Sequence, residues 1–408
     1  MAMNPEPVAP GARADDCPAG GRAIAGVPTA VTALIGTARR GSINQPEPVG
    51  SFADFERIFG GLAADCELGY AVRQFFRNGG ASAWVARVPS GSDTRQWLQG
   101  LNSLAMVEGF NLLVLPGLAD PEVLAAAADT CRQRRAFLIA EAPADARTAE
   151  RMAACMGSRV LPRSGFGAVY FPWVRIADPL RPGSPRAAPP GGTVAGLYAR
   201  TDGERGVWRA PAGPEGVLQG VAGLERIPDD REVTRLAGLG VNCLGALANG
   251  TVVLGARTLD ATNGSDSDWS RVPVRRTALF LEESVERGTQ WAAQRPNGPA
   301  LWAELRAAVG AFLQGLFRRG AFAGPDPASA YWVRCDATTT MPADVAAGEV
   351  NIEVGFAPLR PAEFFSLTVR QLTAPPPAPA GDEAPAAGGV ARALRRSRGL
   401  RPRRPLSR

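Results

Sequence analysis

The first half of the chain alternates short apolar runs with amphipathic segments. The runs FNLLVLPG and AFLIAEAP are continuous and apolar, and helical patterns separate them over residues 120–134 and 145–156. Continuous apolar strands with helices between them are typical of a parallel sheet that is covered on both faces. The pattern therefore predicts a central α/β sheet domain.

Two helices with clear end signals precede these runs. Ser51 is a natural N-cap in SFADFERIFGG, Phe55 and Phe59 fall on one helical face, and Gly60 ends the pattern. The segment ELGYAVRQFFRNGG carries a second apolar stripe and leads into the predicted strand AWVARV. We also expect a buried strand over residues 30–36.

The middle of the chain predicts further strands and a hairpin. GAVYFPWVRIAD has the apolar content of one strand, and a helix is expected to begin in GGTVAGLYARTD. VNCLGALANGTVVLGARTL predicts two strands joined at Asn249-Gly250, which is a favoured hairpin turn.

After residues 263–269 the pattern changes from α/β to α+β. Residues 272–294 are expected to form a strand that runs into a helix. The strongest helical stripe follows in LWAELRAAVGAFLQGLFRRG, with Pro299 at its start and Gly320 at its end. Two alternating segments, EVNIEVGFAPL and EFFSLTVRQL, predict a final pair of strands.

The composition removes several classes of enzyme. The 408 residues include no His, and every basic residue is Arg. Without His or Lys there is no Ser-His-Asp triad, imidazole metal site, Schiff-base lysine or phosphate-loop lysine. The six Cys are scattered, with neither zinc-ligand nor disulfide spacing. We expect no cofactor and no metal, and carboxylate chemistry is the main catalytic option that remains.

The net charge of +6 lies at the end of the chain. Residues 374–408 contain eight Arg against Asp382 and Glu383, so the rest of the chain is neutral. A Pro- and Ala-rich segment of this kind cannot bury a core. The predicted organisation is a flexible arm at 1–22, an α/β domain at 23–260, an α+β domain at 261–373 and a disordered Arg-rich tail at 374–408.

Candidate small-molecule sites are weak. Gly165 and Gly167 precede a strand, whereas a dinucleotide loop follows one. Residues 189–196 do precede a helix whose N-terminal amides could hold an anion. GSDSDW resembles a fragment of a calcium loop but lacks the required Gly and Glu, so we expect a surface turn.

Two pairs of neighbouring carboxylates are candidates for general acid and base catalysis. Asp229-Asp230 and Glu282-Glu283 point to different faces of a helix, so we expect helix caps and ion-pair partners instead. A carboxylate-dependent hydrolase on the α/β sheet stays open as an alternative. So does a nucleic-acid-binding protein that acts through its basic tail, although the neutral body makes nucleic acid an unexpected partner.

Stretches in a fixed order along residues 24–372 carry a family resemblance. They include IAGVPTAVTALIG, SFADFERIFGG, YAVRQFFRNGG, VAGLYARTDGERGVWRAPAG, VRRTALFLEESVERGTQW, LWAELRAAVGAFL and VNIEVGFAPLRPAEFF. In content, order and spacing the chain resembles the contractile tail sheath proteins of phages and of phage-tail-like injection particles.

The resemblance implies a structural function without an enzyme activity. Copies would polymerise helically around an inner tube, rest on a baseplate below a terminal cap, and contract to drive the tube through a target envelope. No small-molecule substrate and no membrane insertion are implied. Because no apolar run reaches 18 residues and no secretory signal is present, we expect assembly in the cytoplasm, with release of the particle left open.

The resemblance also implies contact residues. Terminal arms of such sheaths add strands to a neighbour's C-terminal sheet, and the candidate strand, as donor or acceptor, is Glu363, Phe364, Phe365, Ser366, Leu367, Thr368, Val369 and Arg370. An ordinary internal edge strand is the alternative. Arg306, Arg318 and Arg319 would face the inner tube, with a solvated helix face as the alternative.

The chain departs from the family pattern at several places, among them CLGALANGTV, which lacks the family's usual arginine-containing turn, and the unusual Arg-rich segment after Thr373. ADDCPAGGRA makes a poor strand where the family has an extended segment, and Leu254 stands where the family typically has Trp. A divergent copy placed near the baseplate or the cap is therefore an alternative to the main sheath subunit.

Overall fold

An eight-stranded sheet forms the centre of the computed structural model, which describes residues 22–158, 160–261, 269–359 and 365–374. Its strands are β1 (Thr32–Thr37), β2 (Glu47–Val49), β3 (Ala83–Val88), β4 (Leu112–Val114), β5 (Phe137–Glu141), β6 (Gly167–Phe171), β10 (Val241–Leu247) and β11 (Gly250–Val253). The spatial order is β11-β10-β6-β5-β4-β1-β3-β2. All neighbours run parallel except the two edge pairs, β10 with β11 and β2 with β3.

Helices cover both faces of this sheet. They are α1 (Phe52–Phe59), α2 (Glu67–Arg77), α3 (Thr94–Asn102), α4 (Pro121–Gln133), α5 (Ala149–Gly157), α6 (Gly191–Arg205) and α7 (Asp230–Gly238). Side chains of α1, α2 and α6 join one hydrophobic core, and those of α3, α4, α5 and α7 join the core on the opposite face. The predicted α/β domain architecture is confirmed.

Several helix ends and turns follow from neighbouring residues in the chain. The Ser51 hydroxyl accepts a hydrogen bond from the Asp54 amide at 3.1 Å. Gly60 ends α1 with a φ of 87°, a left-handed conformation that glycine adopts without a Cβ clash. The strands β10 and β11 form the predicted antiparallel hairpin, but its two-residue turn is Ala248-Asn249, one residue earlier than predicted, because Gly250 already pairs with Leu247.

Three sequence-based assignments were wrong. The residues from Val272 onward are helical and do not begin with a strand, because Pro273 occupies the first turn, where its missing N–H costs nothing. The predicted strand in GAVYFPWVRIAD is two strands, since Pro172 has no N–H to continue the ladder. The helix expected from residue 145 begins at Ala149, after the Thr148 side chain caps it.

A second small sheet follows the break at Pro172. It contains β7 (Val174–Ala177), β8 (Pro185–Ala188) and β9 (Val221–Leu224), all antiparallel, in the order β8-β7-β9. The sequence patterns had not predicted β2, β8 or β9, which are three or four residues long and too short to show a clear period.

The C-terminal region is α+β, as predicted. It contains α8 (Val272–Gly288), α9 (Pro299–Arg318), α10 (Pro327–Ala330), β12 (Tyr331–Arg334), α11 (Pro342–Ala347), β13 (Glu349–Phe356) and β14 (Phe365–Leu372). One face of the antiparallel sheet β12-β13-β14 packs on α8 and α9 around a third hydrophobic core. None of the helices in the described ranges is both long and apolar enough to cross a membrane.

Candidate functional site

The candidate inter-subunit strand lies at the edge of the C-terminal sheet. β14 begins at Phe365 and pairs all eight of its residues with β13 of the same chain. The order β12-β13-β14 leaves its other side at the sheet edge. Glu363 and Phe364, the first two residues of the predicted strand, lie outside the described residues.

Residue pairs between β13 and β14 alternate between hydrogen-bonded and non-hydrogen-bonded, and this alternation determines which amides of β14 face outward. The Thr373 amide donates to the Gly348 carbonyl at 2.7 Å, which makes these two residues a hydrogen-bonded pair next to the end of the ladder. Hydrogen-bonded and non-hydrogen-bonded pairs alternate along antiparallel strands. The backbone N–H and C=O groups of Ser366, Thr368 and Arg370 therefore point away from β13, toward the outer edge.

The side chains of β14 divide cleanly between two faces. Phe365, Leu367 and Val369 are buried in the C-terminal core, whereas Ser366, Thr368 and Arg370 are exposed. This is the alternation that the sequence predicted for an amphipathic strand.

Polar contacts hold the end of β14 against its own chain. The Arg370 guanidinium pairs with Glu349 at 3.0 Å. The side-chain amide (Nε2) of Gln371 donates to the Glu286 carbonyl at 2.5 Å and to the Thr289 hydroxyl at 2.9 Å. In this single chain β14 is thus a firmly seated edge strand with an open side.

The three candidate tube-facing arginines lie in different environments. Arg306 is half-buried and donates to the Cys335 carbonyl, so this guanidinium already stabilises the C-terminal region. Arg318 and Arg319 are exposed at the end of α9. The Arg319 guanidinium lies 5.2 Å from the centroid of the Trp208 ring.

The paired carboxylates do not converge on a common point. Asp229 caps α7 by accepting from the Glu232 amide at 2.8 Å. Glu282 lies 3.6 Å from the Arg135 guanidinium, and the neighbouring Glu283 pairs with Arg287 at 2.6 Å. These are the cap and ion-pair roles that the sequence pattern favoured.

The N-terminus of α6, a candidate anion site, is occupied by a carboxylate of the same chain. Glu141, at the end of β5, accepts from the Gly191 amide at 2.7 Å and from the Gly117 amide at 2.6 Å. Glu141 is 3% exposed, and burial raises its pKa to about 8. Because both oxygens are engaged and buried, this group is not available to a substrate.

Sequence patterns missed Glu141 because its partners are distant along the chain. Gly191 is 50 residues away and Gly117 is 24 residues away. The available signal was a Glu at the end of an otherwise apolar strand, next to a Gly pair that opens a helix. In open α/β sheets the carboxyl ends of the strands are the usual place for ligands. In this chain an internal carboxylate fills that place.

Comparison with protein families finds two matching models. Residues 91–259 match the phage tail sheath protein central domain, and residues 264–371 match the phage tail sheath C-terminal domain. Together these ranges include most of the central sheet, the long helix α9 and the strand β14.

Individual relatives agree with the family models. A prophage major tail sheath protein of Pseudomonas aeruginosa (strain UCBPP-PA14) is 28% identical over 259 residues, and the match spans 62% of each protein. The helical sheath of the anti-feeding prophage in its contracted state is 26% identical with a TM-score of 0.69, covering 90% of this chain and 99% of that one. A chain of the anti-feeding prophage baseplate is also 26% identical, with a TM-score of 0.68, covering 88% of this chain and 98% of that one.

The order of elements, the two matched domains and the solved relatives therefore agree on one family. The chain belongs to the tail sheath proteins of phages and of phage-tail-like contractile injection systems.

Proposed function

We propose that this chain is a structural subunit of a contractile sheath. Copies polymerise helically around an inner tube, and the polymer shortens to drive the tube through a target envelope. Family membership supports this function, since the sheath of the anti-feeding prophage is a helical assembly of a chain with this fold. No catalytic group is needed, because the work comes from rearrangement of contacts between many copies.

The open side of β14 is the observation that carries the assembly proposal. Its outward N–H and C=O groups at Ser366, Thr368 and Arg370 form a template for one more strand. An added strand from another copy would supply backbone hydrogen bonds that persist while subunits rotate, because a single extended segment can bend between the bodies that it joins. We therefore assign β14 as the acceptor edge, and its own donation to a neighbour is the alternative.

The contact with the inner tube is proposed at the end of α9. Arg318 and Arg319 are exposed there and present positive charge to an acidic surface. Arg306 belongs to the same proposal, although its guanidinium already binds the Cys335 carbonyl. Charged contacts suit a tube that must be held and then released as the sheath widens, because they depend less on a dry interface.

The remaining partners and the site of assembly are proposals drawn from relatives. The match to a chain in the anti-feeding prophage baseplate supports contact with a baseplate, and a terminal cap is expected at the opposite end. Assembly is proposed in the cytoplasm, with the chain becoming part of a phage tail or tail-like particle. A specialised copy near the baseplate would form rings and not long tubes.

Electron microscopy of the purified chain tests the function. We expect hollow tubes or stacked rings at high protein concentration, alone or after addition of an inner tube protein. Particles that stay monomeric under both conditions would contradict the sheath function.

A further inference from the structure

The N-terminal end of α8 is not capped by a side chain. Arg271 precedes this helix of 17 residues and makes no capping hydrogen bond, and the first turn contains no acidic residue. The free amides of a helix N-terminus carry partial positive charge, which favours an anion. Because every helix has such an end, the side chains that surround it decide whether it can bind a ligand.

Arg275 places an unpaired guanidinium at this end of the helix. The residue is 9% exposed, and its Nε atom is buried without a hydrogen-bond partner in the described part of the chain. The carboxylates of Glu282 and Asp260 attract the charge through space, and neither forms a hydrogen bond with it. Burial lowers the pKa of Arg275 to about 10, so the group is charged at neutral pH. A buried charge with unused donors is costly for the folded chain.

Two aromatic rings hold this guanidinium in place. Its Cζ atom lies 3.8 Å from the centroid of the Trp269 ring and 4.3 Å from that of Phe166. Since Trp269 precedes α8, the contact shows that the side chain lies toward the N-terminal end of the helix. Cation–π contacts stabilise the charge, but they do not replace hydrogen bonds to an oxygen acceptor. The donors of Arg275 therefore stay available while the group is held in one position.

The backbone at Gly165 passes close to the same guanidinium. A methyl group added at Gly165 would lie 3.0 Å from Nη2 of Arg275 and 3.3 Å from Cβ of Trp269. A side chain at this position would therefore press on the group that the rings hold. Gly165 does not belong to a dinucleotide loop, and its small size instead leaves room for the guanidinium.

The adjacent residue, Arg276, shows how this chain satisfies a buried guanidinium. Arg276 and Asp202 are each 4% exposed and are joined by two hydrogen bonds of 2.9 and 2.6 Å. Arg276 also donates to the Thr29 carbonyl at 2.8 Å, and the Thr29 hydroxyl donates to Asp202 at 2.7 Å. Arg275 has the same chemistry and a similar degree of burial without such acceptors among the described residues. An acceptor from outside the chain would complete it in the same way.

We propose that Arg275 and the N-terminal end of α8 form a binding site for an oxyanion, either a carboxylate or a phosphate group. Both groups match the planar guanidinium, whose N–H donors can bind two oxygens at once. The helix end adds favourable charge. Two sources carry this chemistry: a free anion and a carboxylate side chain of a second copy. The inference goes beyond the sheath function, because a free anion would bind a single chain.

Thermal unfolding of the full chain in inorganic phosphate tests the site. Arg275→Met is the test variant, since a linear apolar side chain keeps contact with the rings and removes the charge. At about 100 mM phosphate, compared with chloride of equal ionic strength, we expect the unfolding midpoint of the wild type to rise by about 2 °C or more. The variant should show no such rise. The arginines after Thr373 are the same in both proteins and cannot cause a difference.

A second comparison shows whether the charge serves the chain's own fold. Without phosphate, Arg275→Met should unfold at the same temperature as the wild type or higher, because it removes a buried charge that lacks a partner. Arg276→Met should lower the midpoint by several degrees, because it leaves Asp202 unpaired. Arg132→Met, on α4, replaces a side chain that is 58% exposed and should match the wild type with and without phosphate.

Electron microscopy separates the two sources of the oxyanion. If a second copy supplies a carboxylate, phosphate leaves the midpoint of the wild-type monomer unchanged, and Arg275→Met forms about tenfold fewer polymers than Arg132→Met, or fewer still. If a free anion is the ligand, phosphate raises the wild-type midpoint, and Arg275→Met forms polymers like those of the wild type.

Two results would overturn the inference. One is a midpoint of Arg275→Met several degrees below that of the wild type without phosphate, which would assign the guanidinium to the chain's own fold. The other is an Arg275→Met variant that matches the wild type both in its response to phosphate and in its polymers. If the wild type forms no polymers, the sheath function fails, and the phosphate response alone decides the oxyanion site.

Discussion

The central sheet and the C-terminal sheet differ in how they are covered and in where the polar groups at their margins point. The eight-stranded sheet is covered on both faces, and the buried carboxylate of Glu141 at its strand ends is satisfied by amides of the same chain. The three-stranded sheet is covered on one face, and β14 directs backbone groups at its open side outward. In the first region a polar group at the strand ends is paired within the chain, whereas in the second region a row of backbone groups points away from the sheet.

This difference suggests that the central sheet makes the subunit rigid, whereas the edge of the C-terminal sheet serves assembly. An α/β body whose core is packed on both faces of its sheet resists deformation when force acts on it. An open edge strand in a monomer is an association hazard unless a partner covers it. In a polymer subunit the same feature supplies the link between copies, so the C-terminal sheet is the region in which to break assembly.

The largest expected effect is at Thr368. Thr368→Pro removes an N–H that points to the open edge and leaves the hydrogen bonds from β14 to β13 in place. We expect a folded monomer, measured by circular dichroism and thermal unfolding, that forms no polymers by electron microscopy.

Thr368→Ala is the matched control, since it alters the exposed side chain and keeps the amide. It should polymerise like the wild type. Unchanged polymers of Thr368→Pro would place the inter-subunit strand elsewhere, whereas an unfolded variant would mean that this amide supports the chain's own sheet.

A large loss of stability is expected at the contact between α6 of the central region and α8 of the C-terminal region. Asp202→Asn leaves the buried Arg276 charge without its partner, which costs about 3 to 5 kcal/mol of unfolding free energy. Denaturant unfolding measures this cost. As a control, Asp129→Asn breaks a pair with Arg132 in which both side chains are more than half exposed, and should cost less than about 1 kcal/mol. An equal loss of unfolding free energy for the two substitutions would contradict the expectation that the buried ion pair matters more than the exposed one.

Glu141 should make the unfolding free energy of the chain depend on pH. Burial raises its pKa from 4.5 to about 8, so between these values the folded chain holds a proton that the unfolded chain has released. The contribution of Glu141 to stability is therefore complete below pH 4.5 and is lost as pH rises through about 8.

Glu141→Gln removes this titration. Relative to the variant, the wild type should lose about 1 to 3 kcal/mol of unfolding free energy between about pH 5.5 and about pH 8. Denaturant unfolding at both pH values measures the loss. A difference between the two proteins that does not vary with pH would mean that Glu141 is ionised throughout, held by its two amide donors.

The smallest expected effect is at the tube contact. Arg318→Ala removes one exposed charge and should weaken binding to the tube protein by a few-fold, mainly at low salt. Binding measured at two salt concentrations tests this, with the exposed Arg132→Ala on α4 as the control. Equal weakening by both substitutions would indicate a general charge effect.

Local chemistry made much of the fold predictable from the sequence. The cap at Ser51, the stop at Gly60 and the hairpin at Asn249 each depend on neighbouring residues, and all three are present. Val272 was misassigned because a Val-Pro-Val run resembles a strand, whereas Pro is also favoured in the first turn of a helix. The family resemblance, carried by ordered motifs, is confirmed.

Long-range polar contacts could not be predicted in this way. Asp202 lies 173 residues from Thr29 and 74 residues from Arg276, and no local pattern indicates that the three meet. The roles of β14 and of the arginines at the end of α9 depend on other copies and on the tube, so they stay predictions.

Hydrogen exchange at the edge of β14 shows whether a strand from another copy covers this edge in the polymer. The amides of Ser366, Thr368 and Arg370 are compared in the monomer and in the assembled polymer. We expect fast exchange of these outward amides in the monomer and strong protection in the polymer, while the inward amides of Leu367 and Val369 are protected in both. Outward amides that exchange equally fast before and after assembly would contradict the proposal that β14 accepts a strand from another copy.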